Sequence, residues 1–283
     1  MSVTTARLAS MKAAGDRIVM VTAYDFPSAR AAERAGVDMV LVGDSGANVV
    51  LGYDTTAEVS MDEMLMMAAA ARRGTETAFL VCDVPFGSTE VSDEQAVATA
   101  VRFVKEAGAD AVKLEGGNPR RLSRIRAIVD AGIPVVAHVG LTPQTAVALG
   151  GMRAQGRTAE TASRFVREMF AVQEAGAFCV VVEAVPADVV DLVLEHMRIP
   201  VIGIGAGTAD GQVLVQHDLL GITEGRMASF VKSYARLNEA FVEGIGAFAD
   251  EVRSGAFPAE EHCYASRPEA LEAAREEIGR LSS

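Results

Sequence analysis

The chain has 283 residues, half of them hydrophobic, and a formal net charge of −12 at pH 7. This apolar fraction suffices for a large core and excludes disorder as a description of the whole chain. The acidic balance leaves no basic surface for a phosphate backbone or an anionic membrane, so neither nucleic acid nor membrane is an expected partner.

Cysteine content and the first residues of the chain bear on its compartment. The three cysteines are too few and too scattered for a disulfide framework, and none forms a CxxC pair, which favours a reducing compartment. Residues 1–17 lack the unbroken apolar stretch of a signal peptide. No apolar run approaches the 18 residues of a membrane span. We therefore expect a cytoplasmic protein.

Eight short apolar runs recur along the chain, each followed by polar or glycine residues and then by a longer stretch with helical spacing. This alternation is typical of βα units. The predicted strands are Ile18–Ala23, Met39–Val42, Ala78–Cys82, Ala111–Leu114, Pro134–Ala137, Phe178–Val182, Pro200–Ile204 and Leu219–Ile222.

The predicted helices between these runs are Pro27–Ala35, Met61–Arg73, Asp93–Ala107, Pro119–Asp130, Ala159–Ala175 and Pro186–Met197. The connection from Gly205 to Asp218 has room for only a short helix. Beyond the eighth run the pattern predicts helical segments over Met227–Arg253 and Pro268–Leu281, separated by a break at Gly255–Pro258.

Strands that are apolar throughout are buried on both faces and pair in parallel. Eight such units predict a closed (β/α)8 TIM barrel. The alternative is a doubly wound open sheet, which usually has fewer strands and a glycine-rich phosphate site after the first strand. We expect one barrel domain with C-terminal helices over residues 1–264 and a helical tail over residues 265–283.

Polar and charged residues follow the predicted strands at the end where barrel enzymes carry their chemistry. These residues are Asp44, Ser45, Asp83, Lys113, Glu115, His138 and Glu183. Asp44, Asp83 and Glu115 belong to adjacent strands and would repel one another unless a cation bound them. All-oxygen ligation favours Mg²⁺, for which Mn²⁺, Co²⁺ or Zn²⁺ could substitute. The alternative is that each acid only caps a loop.

The remaining charged residues have both chemical and structural interpretations. Lys113 and Glu115 lie two apart on one strand and so share a face, as a site pair or as a structural ion pair. Glu183 ends the most apolar strand, where loss of solvent would make it a stronger general base, unless it pairs with Arg or Lys across the barrel. His138 suits a substrate carboxylate or a backbone carbonyl.

Twelve segments resemble the ketopantoate (3-methyl-2-oxobutanoate) hydroxymethyltransferase family, in the family's order and spacing. They are VTAYD (21–25), LVGDS (41–45), VLGYDTT (50–56), RRG (72–74), CDVPFGS (82–88), VKLEGG (112–117), HVGLTPQ (138–144), QGR (155–157), VVVEAVP (180–186), IPVIGIGAGTADGQVLVQHDLLGI (199–222), FVKSYARL (230–237) and FPAEEH (257–262). The resemblance runs from about residue 4 to Tyr264.

The resemblance implies a barrel of the phosphoenolpyruvate/pyruvate superfamily, usually a homodecamer, in pantothenate and coenzyme A biosynthesis. It implies transfer of a one-carbon unit from 5,10-methylenetetrahydrofolate to the small 2-oxo acid 3-methyl-2-oxobutanoate, giving 2-dehydropantoate by an aldol-type reaction of a metal enolate.

By motif, the resemblance also assigns a role to each strand-end residue. One Mg²⁺ per subunit would be held by Asp44, Asp83 and, often through water, Glu115. Ser45 and Lys113 would hold the keto acid beside Asp44 and Asp83, and His138 would be a secondary contact. Glu183 would accept the proton.

Two departures from the family pattern keep alternatives open. The family commonly reads DSLGM where this chain has Asp44–Asn48 as DSGAN, and Met66–Ala68 replaces a Tyr-His-Thr run. A diverged paralogue acting on another 2-oxo acid, or with formaldehyde as donor, therefore stays possible. A lyase of the isocitrate lyase or phosphonopyruvate type is disfavoured because no KKCGH-like segment is present. A catalytically silent barrel is disfavoured by the retained acids.

Overall fold

A computed structural model describes residues 2–148, 150–225 and 227–282, which divide into two compact units between Ala235 and Arg236. The first unit contains eight parallel strands that close into a barrel in sequence order, which confirms the predicted fold. The strands are β1 (Ile18–Thr22), β2 (Met39–Val42), β3 (Phe79–Asp83), β4 (Ala111–Glu115), β5 (Val135–Gly140), β6 (Cys179–Glu183), β7 (Val201–Ile204) and β8 (Gly211–Leu214).

Helices precede the barrel and follow most of its strands. In the first unit they are α1 (Thr5–Ala14), α2 (Phe26–Ala35), α3 (Gly46–Val49), α4 (Met61–Gly74), α5 (Asp93–Ala107), α6 (Pro119–Asp130), α7 (Ala159–Glu174), α8 (Ala187–Leu194) and α9 (Gln216–Leu219). The second unit contains α10 (Leu237–Ser254) and α11 (Pro268–Leu281). No helix among the residues described above is long and apolar enough to cross a membrane.

Local signals in the sequence set the ends of the main helices. Ser60 and Ser92 accept backbone N–H groups at the starts of α4 and α5, which satisfies donors that have no partner inside the helix. Gly36 and Gly108 end α2 and α5 in the left-handed conformation that turns the chain back toward the next strand. The helix bounds therefore agree closely with those predicted for these segments.

The barrel interior is filled at its amino end by α1. Leu8 and Met11 are buried against inward-facing residues such as Met39, Val136 and Ile202. The backbone N–H of Val3 donates to Thr77, just before β3, which holds this helix across the amino ends of the strands. A second apolar layer lies between the outer faces of the strands and the helices. The amino end is therefore closed, and chemistry is confined to the other end.

The eighth strand differs from the prediction. Leu219–Ile222 is wrong as a strand, because this segment forms the end of α9 and a turn. The strand is Gly211–Leu214, which pairs with β1 on one side and β7 on the other. A Cβ at Gly211 would lie 2.2 Å from the backbone oxygen of Ile18, so glycine permits this close approach. The strand alternates buried and partly exposed residues, and a search for apolar runs therefore misses it.

The C-terminal segments also differ from the prediction in part. The helix expected from Met227 begins at Leu237, and the described part of residues 223–236 has no regular helix or strand. The connection Gly205–Asp218, expected to have room for only a short helix, contains β8 and the start of the short helix α9. The boundary between the two units falls inside the single domain proposed for residues 1–264, whose division from the tail 265–283 stays a prediction.

Candidate active site

The residues predicted to form a site come together at the carboxyl ends of the strands. Asp44 follows β2, Asp83 ends β3, Lys113 and Glu115 lie on β4, and His138 and Glu183 belong to β5 and β6. These residues and Ser45 all line one cavity of about 260 Å³, called here the inner cavity. The structure therefore brings all seven candidate residues together, although it does not by itself assign their roles.

Lys113 and Asp83 form a buried ion pair between neighbouring strands. The two residues are register partners in β3 and β4, and the distance from Lys113 Nζ to Asp83 Oδ1 is 2.6 Å. Burial alone would lower the pKa of Lys113, but the carboxylates of Asp83, Glu115 and Asp44 raise it above its ordinary value. Lys113 is therefore a fixed cation at this end of the barrel, paired with Asp83 rather than with Glu115.

Asp44 lies beside this pair, among groups that oppose its ionisation. Its backbone N–H donates to Asp83 Oδ2 at 3.1 Å, so the two acids are held side by side. Burial, together with the negative charges of Asp83 and Glu115, raises the pKa of Asp44 to about 8. The protein thus holds Asp44 where an added cation would be stabilised.

His138 lies between two carboxylates. Its Nδ1 is 3.3 Å from Glu115 Oε1, and its Nε2 is 3.2 Å from Glu183 Oε2. Burial and Lys113 oppose protonation, yet the two glutamates raise the pKa of His138 to about 9. Neither nitrogen makes a well-aligned hydrogen bond in the described structure, so the contact is electrostatic. The partner of Glu183 is thus His138 rather than an Arg or Lys across the barrel.

Glu115 and Glu183 differ in how firmly they are held. Glu115 accepts the backbone N–H of Gln144 at 3.0 Å. Burial alone would raise the pKa of Glu115, but His138, Lys113 and this hydrogen bond lower it below its ordinary value. The side chain of Glu183 is 14% exposed, against 4% for Glu115. Glu183 is therefore the acid of this pair that a bound molecule can reach.

Sequence reasoning missed two polar residues of the site. The side chain of Gln144, after β5, donates from Nε2 to Asp44 Oδ2 and to the backbone oxygen of Val84, both at 2.9 Å. The hydroxyl of Tyr24, after β1, lies 2.9 Å from Ser45 Oγ. Both belong to matched segments, HVGLTPQ and VTAYD. A search for charged residues at strand ends passes over them because they are neutral.

The carboxylates of the inner cavity supply possible ligands for a metal ion. Among residues 2–148, 150–225 and 227–282 there is no group of three or more His, Cys, Asp or Glu side chains arranged to hold one. Asp44 and Asp83, however, are adjacent, line the cavity and supply the oxygen atoms that a hard cation prefers. The geometry fits a cation held by these two acids, and Glu115 as a third ligand stays a prediction.

A second, larger cavity of about 740 Å³ adjoins the first and is called here the outer cavity. The two cavities share Met152, Glu183, Ala228 and Phe230 in their walls. Glu183 is the one acidic residue among the four. A group at Glu183 can therefore be reached from both cavities.

Comparison with solved structures shows which barrels the fold resembles. A phosphonopyruvate hydrolase, crystallised with oxalate and Mg²⁺, has a TM-score of 0.60 and 17% sequence identity, over 99% of this chain and 98% of that one. A 2,3-dimethylmalate lyase described as a PEP mutase/isocitrate lyase superfamily member also has a TM-score of 0.60, at 15% identity over the full length of both chains. At these identities the likeness shows the fold alone.

Sequence comparison is far more specific. The enzyme named 3-methyl-2-oxobutanoate hydroxymethyltransferase from Rhodococcus jostii is 52% identical over 92% of this chain and 90% of its own length. The enzyme of the same name from Moorella thermoacetica is 51% identical, over 93% of this chain and 97% of its own. The family profile described as Ketopantoate hydroxymethyltransferase matches residues 2–260. The resemblance predicted from the motifs is confirmed, and the chain belongs to the ketopantoate hydroxymethyltransferase family.

Proposed function

We propose that this chain is a 3-methyl-2-oxobutanoate hydroxymethyltransferase, which uses 5,10-methylenetetrahydrofolate to convert the keto acid to 2-dehydropantoate. The relatives of about 50% identity that carry this name support the reaction. The observation that carries it is the inner cavity, where Lys113 and the acids meet at the open end of the barrel. The corresponding place in metabolism is pantothenate and coenzyme A biosynthesis.

Residues at the closed side of the inner cavity bind the keto acid in this proposal. Lys113 supplies the buried positive charge, and the hydroxyl of Ser45, held by Tyr24, supplies a donor for the oxygen atoms of the substrate. A bound divalent cation at Asp44 and Asp83 would polarise the carbonyl group and make the C3 proton more acidic. Lys113 stabilises the negative charge that develops on the oxygen when that proton leaves.

Glu183 is the base in this proposal. It is more exposed than Asp44, Asp83 and Glu115, and His138 Nε2 lies 3.2 Å from one of its oxygens. It removes the C3 proton, and C3 then forms a bond to the methylene carbon of the donor. Both bonds between that carbon and the folate nitrogens N5 and N10 break, and one water molecule supplies the hydroxyl group. The proton taken up by Glu183 and the remaining proton of the water go to the two nitrogens, and tetrahydrofolate leaves.

The choice of Mg²⁺, one per subunit, is supported by the oxygen-rich donor set, and Mn²⁺, Co²⁺ or Zn²⁺ are the alternatives. The assembly proposed from the family resemblance is a homodecamer, and the proposed compartment is the cytoplasm. Analytical ultracentrifugation of the purified protein tests the first of these. Titration of metal-free protein with each ion, scored by restored activity, tests the choice of metal.

Exchange of the C3 proton of 3-methyl-2-oxobutanoate in D2O, followed by NMR without folate, tests the proposed chemistry. The wild type should exchange this proton in a metal-dependent manner. Glu183→Gln should slow exchange by about 10²–10⁴ and still bind the keto acid. The matched control is Glu195→Gln, an exposed acid outside both cavities, which should exchange normally. Normal exchange in Glu183→Gln would refute the assignment.

The same assay separates the alternatives. A paralogue with another substrate would exchange a different 2-oxo acid faster, and a formaldehyde-dependent enzyme would form product without folate. A lyase would cleave its substrate instead of extending it, and a silent barrel would show no exchange at all. Exchange together with folate-dependent product formation is expected only of the proposed enzyme.

A further inference from the structure

The wall of the outer cavity carries positive charge that has no role in the reaction proposed above. At about 740 Å³ it is nearly three times the size of the inner cavity, and its wall includes two arginines, Arg153 and Arg157. Both side chains are exposed, and within the described parts of the chain neither guanidinium makes a hydrogen bond or an ion pair. In a chain of net charge −12, two unpaired cations at one cavity are a specific feature.

The loop that carries these arginines is fixed to the end of β6. The backbone N–H of Gln155 donates to the backbone oxygen of Ala184 at 2.9 Å, and Ala184 directly follows Glu183. Gly156 is buried, and a Cβ there would lie 3.1 Å from Val185. The Gln155 side chain accepts a hydrogen bond from Arg164 of α7. The two arginines therefore hold a defined position relative to the base, at the solvent side of the cavity.

The wall between the two cavities contains an aromatic residue, Phe230. Phe230 lines both, is 37% exposed, and packs so closely on Gly205 that a Cβ at Gly205 would lie 2.5 Å from its ring. A planar ligand that fills the outer cavity would thus meet both Phe230 and the two arginines in its wall. That arrangement fits an elongated molecule with aromatic rings, a reactive centre near Glu183 and an anionic tail.

We propose that the outer cavity is the binding site of the one-carbon donor, with Arg153 and Arg157 binding the glutamate carboxylates of its tail. This inference rests on the proposed function. It places the methylene carbon at Glu183, where the two cavities meet, and leaves the inner cavity to the keto acid. The ring system of the donor packs against Phe230, and each further glutamate in the tail adds negative charge near the arginines.

Steady-state kinetics of the double variant Arg153→Gln/Arg157→Gln tests this placement. The KM for 5,10-methylenetetrahydrofolate should rise roughly tenfold, since two exposed ion pairs are lost. The KM for the keto acid and the folate-independent exchange of its C3 proton should stay within about twofold. Arg126→Gln is the matched control, because Arg126 is an exposed arginine of α6 that lines neither cavity, and all three quantities should be unchanged.

Donors with different tails add a second readout. The wild type should have a lower KM for a donor with three glutamates than for one with a single glutamate, and this difference should disappear in the double variant. Raising the salt concentration from about 0.05 to about 0.5 M should raise the donor KM of the wild type more than that of the variant.

The possible outcomes are distinguishable. An unchanged donor KM in the double variant overturns the inference and leaves the proposed reaction intact. An equal rise in both KM values also overturns it, because the arginines would then act on the whole site. If the wild type shows no exchange of the C3 proton, the proposed function itself is overturned, and the donor site with it.

Discussion

In the described part of the barrel unit, two Lys–Asp ion pairs lie one near each end, and they differ in their surroundings. At the amino end, Lys12 of α1 lies 2.7 Å from Asp210, and the two side chains are 14% and 15% exposed. At the carboxyl end, Lys113 lies 2.6 Å from Asp83, and each side chain is 5% exposed. The two pairs have the same chemistry and nearly the same length, so their different roles come from their neighbours.

At the amino end the second donor to Asp210 is a backbone N–H, that of Val201, and α1 covers the apolar interior beside it. At the carboxyl end the pair lies among further acids, and the burial and repulsion that Asp44 experiences raise its pKa to about 8. One pair holds a helix in place, whereas the other lies in a cluster of acids where a further negative charge is disfavoured. The first contributes to stability, and the second prepares a binding site.

The largest expected effect follows from removing the cation at the carboxyl end. Lys113→Met should lower kcat by about 10²–10³, because the charge that develops on the substrate loses its fixed partner. Lys12→Met, the same substitution in the other pair, should change kcat by less than about twofold. Initial rates with saturating substrates provide the measurement. Similar losses in both variants would show that the two ends do not differ as described.

The next largest effect is a loss of stability at the amino end of the barrel. Leu8 is fully buried under the barrel, and Leu8→Ala should lower the free energy of unfolding by about 3 kcal/mol. Turnover below the unfolding transition should persist, since the substitution is remote from both cavities. Leu192→Ala removes the same atoms from a side chain that is 74% exposed and should cost less than about 0.5 kcal/mol. Urea denaturation of the three proteins decides the matter.

A smaller effect of opposite sign is expected at Asp44. Asp44→Asn removes an acid whose ionisation the cluster opposes while keeping an oxygen for Gln144, so the metal-free protein should gain roughly 1 kcal/mol of stability. The variant should lose activity, and added Mg²⁺, which we expect to raise the Tm of the wild type, should not raise that of the variant. A variant that is destabilised without metal would contradict the account of this cluster.

The smallest effect depends on pH and again concerns the amino end. Burial alone would raise the pKa of Glu33, but hydrogen bonds from Thr77 and from the backbone N–H groups of residues 76–78 hold it below its ordinary value of 4.5. The stability that this acid supplies is therefore present above pH 4.5 and is lost as the pH falls through its lower folded pKa.

Glu33→Gln should accordingly be less stable than the wild type by about 0.5 kcal/mol near pH 7, because these hydrogen bonds are exposed to solvent, and the difference should shrink in acid. Unfolding curves between pH 7 and about pH 3 measure this convergence. Arg34→Gln, on the exposed position next to it, serves as the control. A difference that is constant over this range would contradict the role of the Glu33 carboxylate.

Much of the fold was predictable because buried parallel strands are apolar throughout. Seven of the eight strands were recognised from this pattern, and the acids at their ends led directly to the inner cavity. The eighth strand escaped because Gly211–Leu214 has only two fully buried residues, and its identity depends on pairing with β1 and β7. The start of α10 was misjudged because apolar residues also occur in the irregular segment before it.

The contacts within the site were less predictable than its members. The sequence leaves Lys113 two possible partners, Asp83 on the neighbouring strand and Glu115 on its own strand. Only the register of β3 and β4 selects Asp83. The contact of His138 with two glutamates depends on ring orientation, which no spacing rule specifies. Gln144 reaches Asp44 across 100 residues of sequence, from a loop whose path depends on the barrel's closure.

The hydrogen bonds of Gln144 affect how the inner cavity can bind a ligand. The side chain and backbone of Gln144 together donate to Asp44 after β2, Val84 after β3 and Glu115 at the end of β4, while the residue itself follows β5. Four neighbouring segments are thereby cross-linked before any ligand binds, and their separations cannot relax independently. An incoming cation or substrate meets a rigid frame, so selectivity in this pocket rests on size and charge rather than on adaptation of the protein.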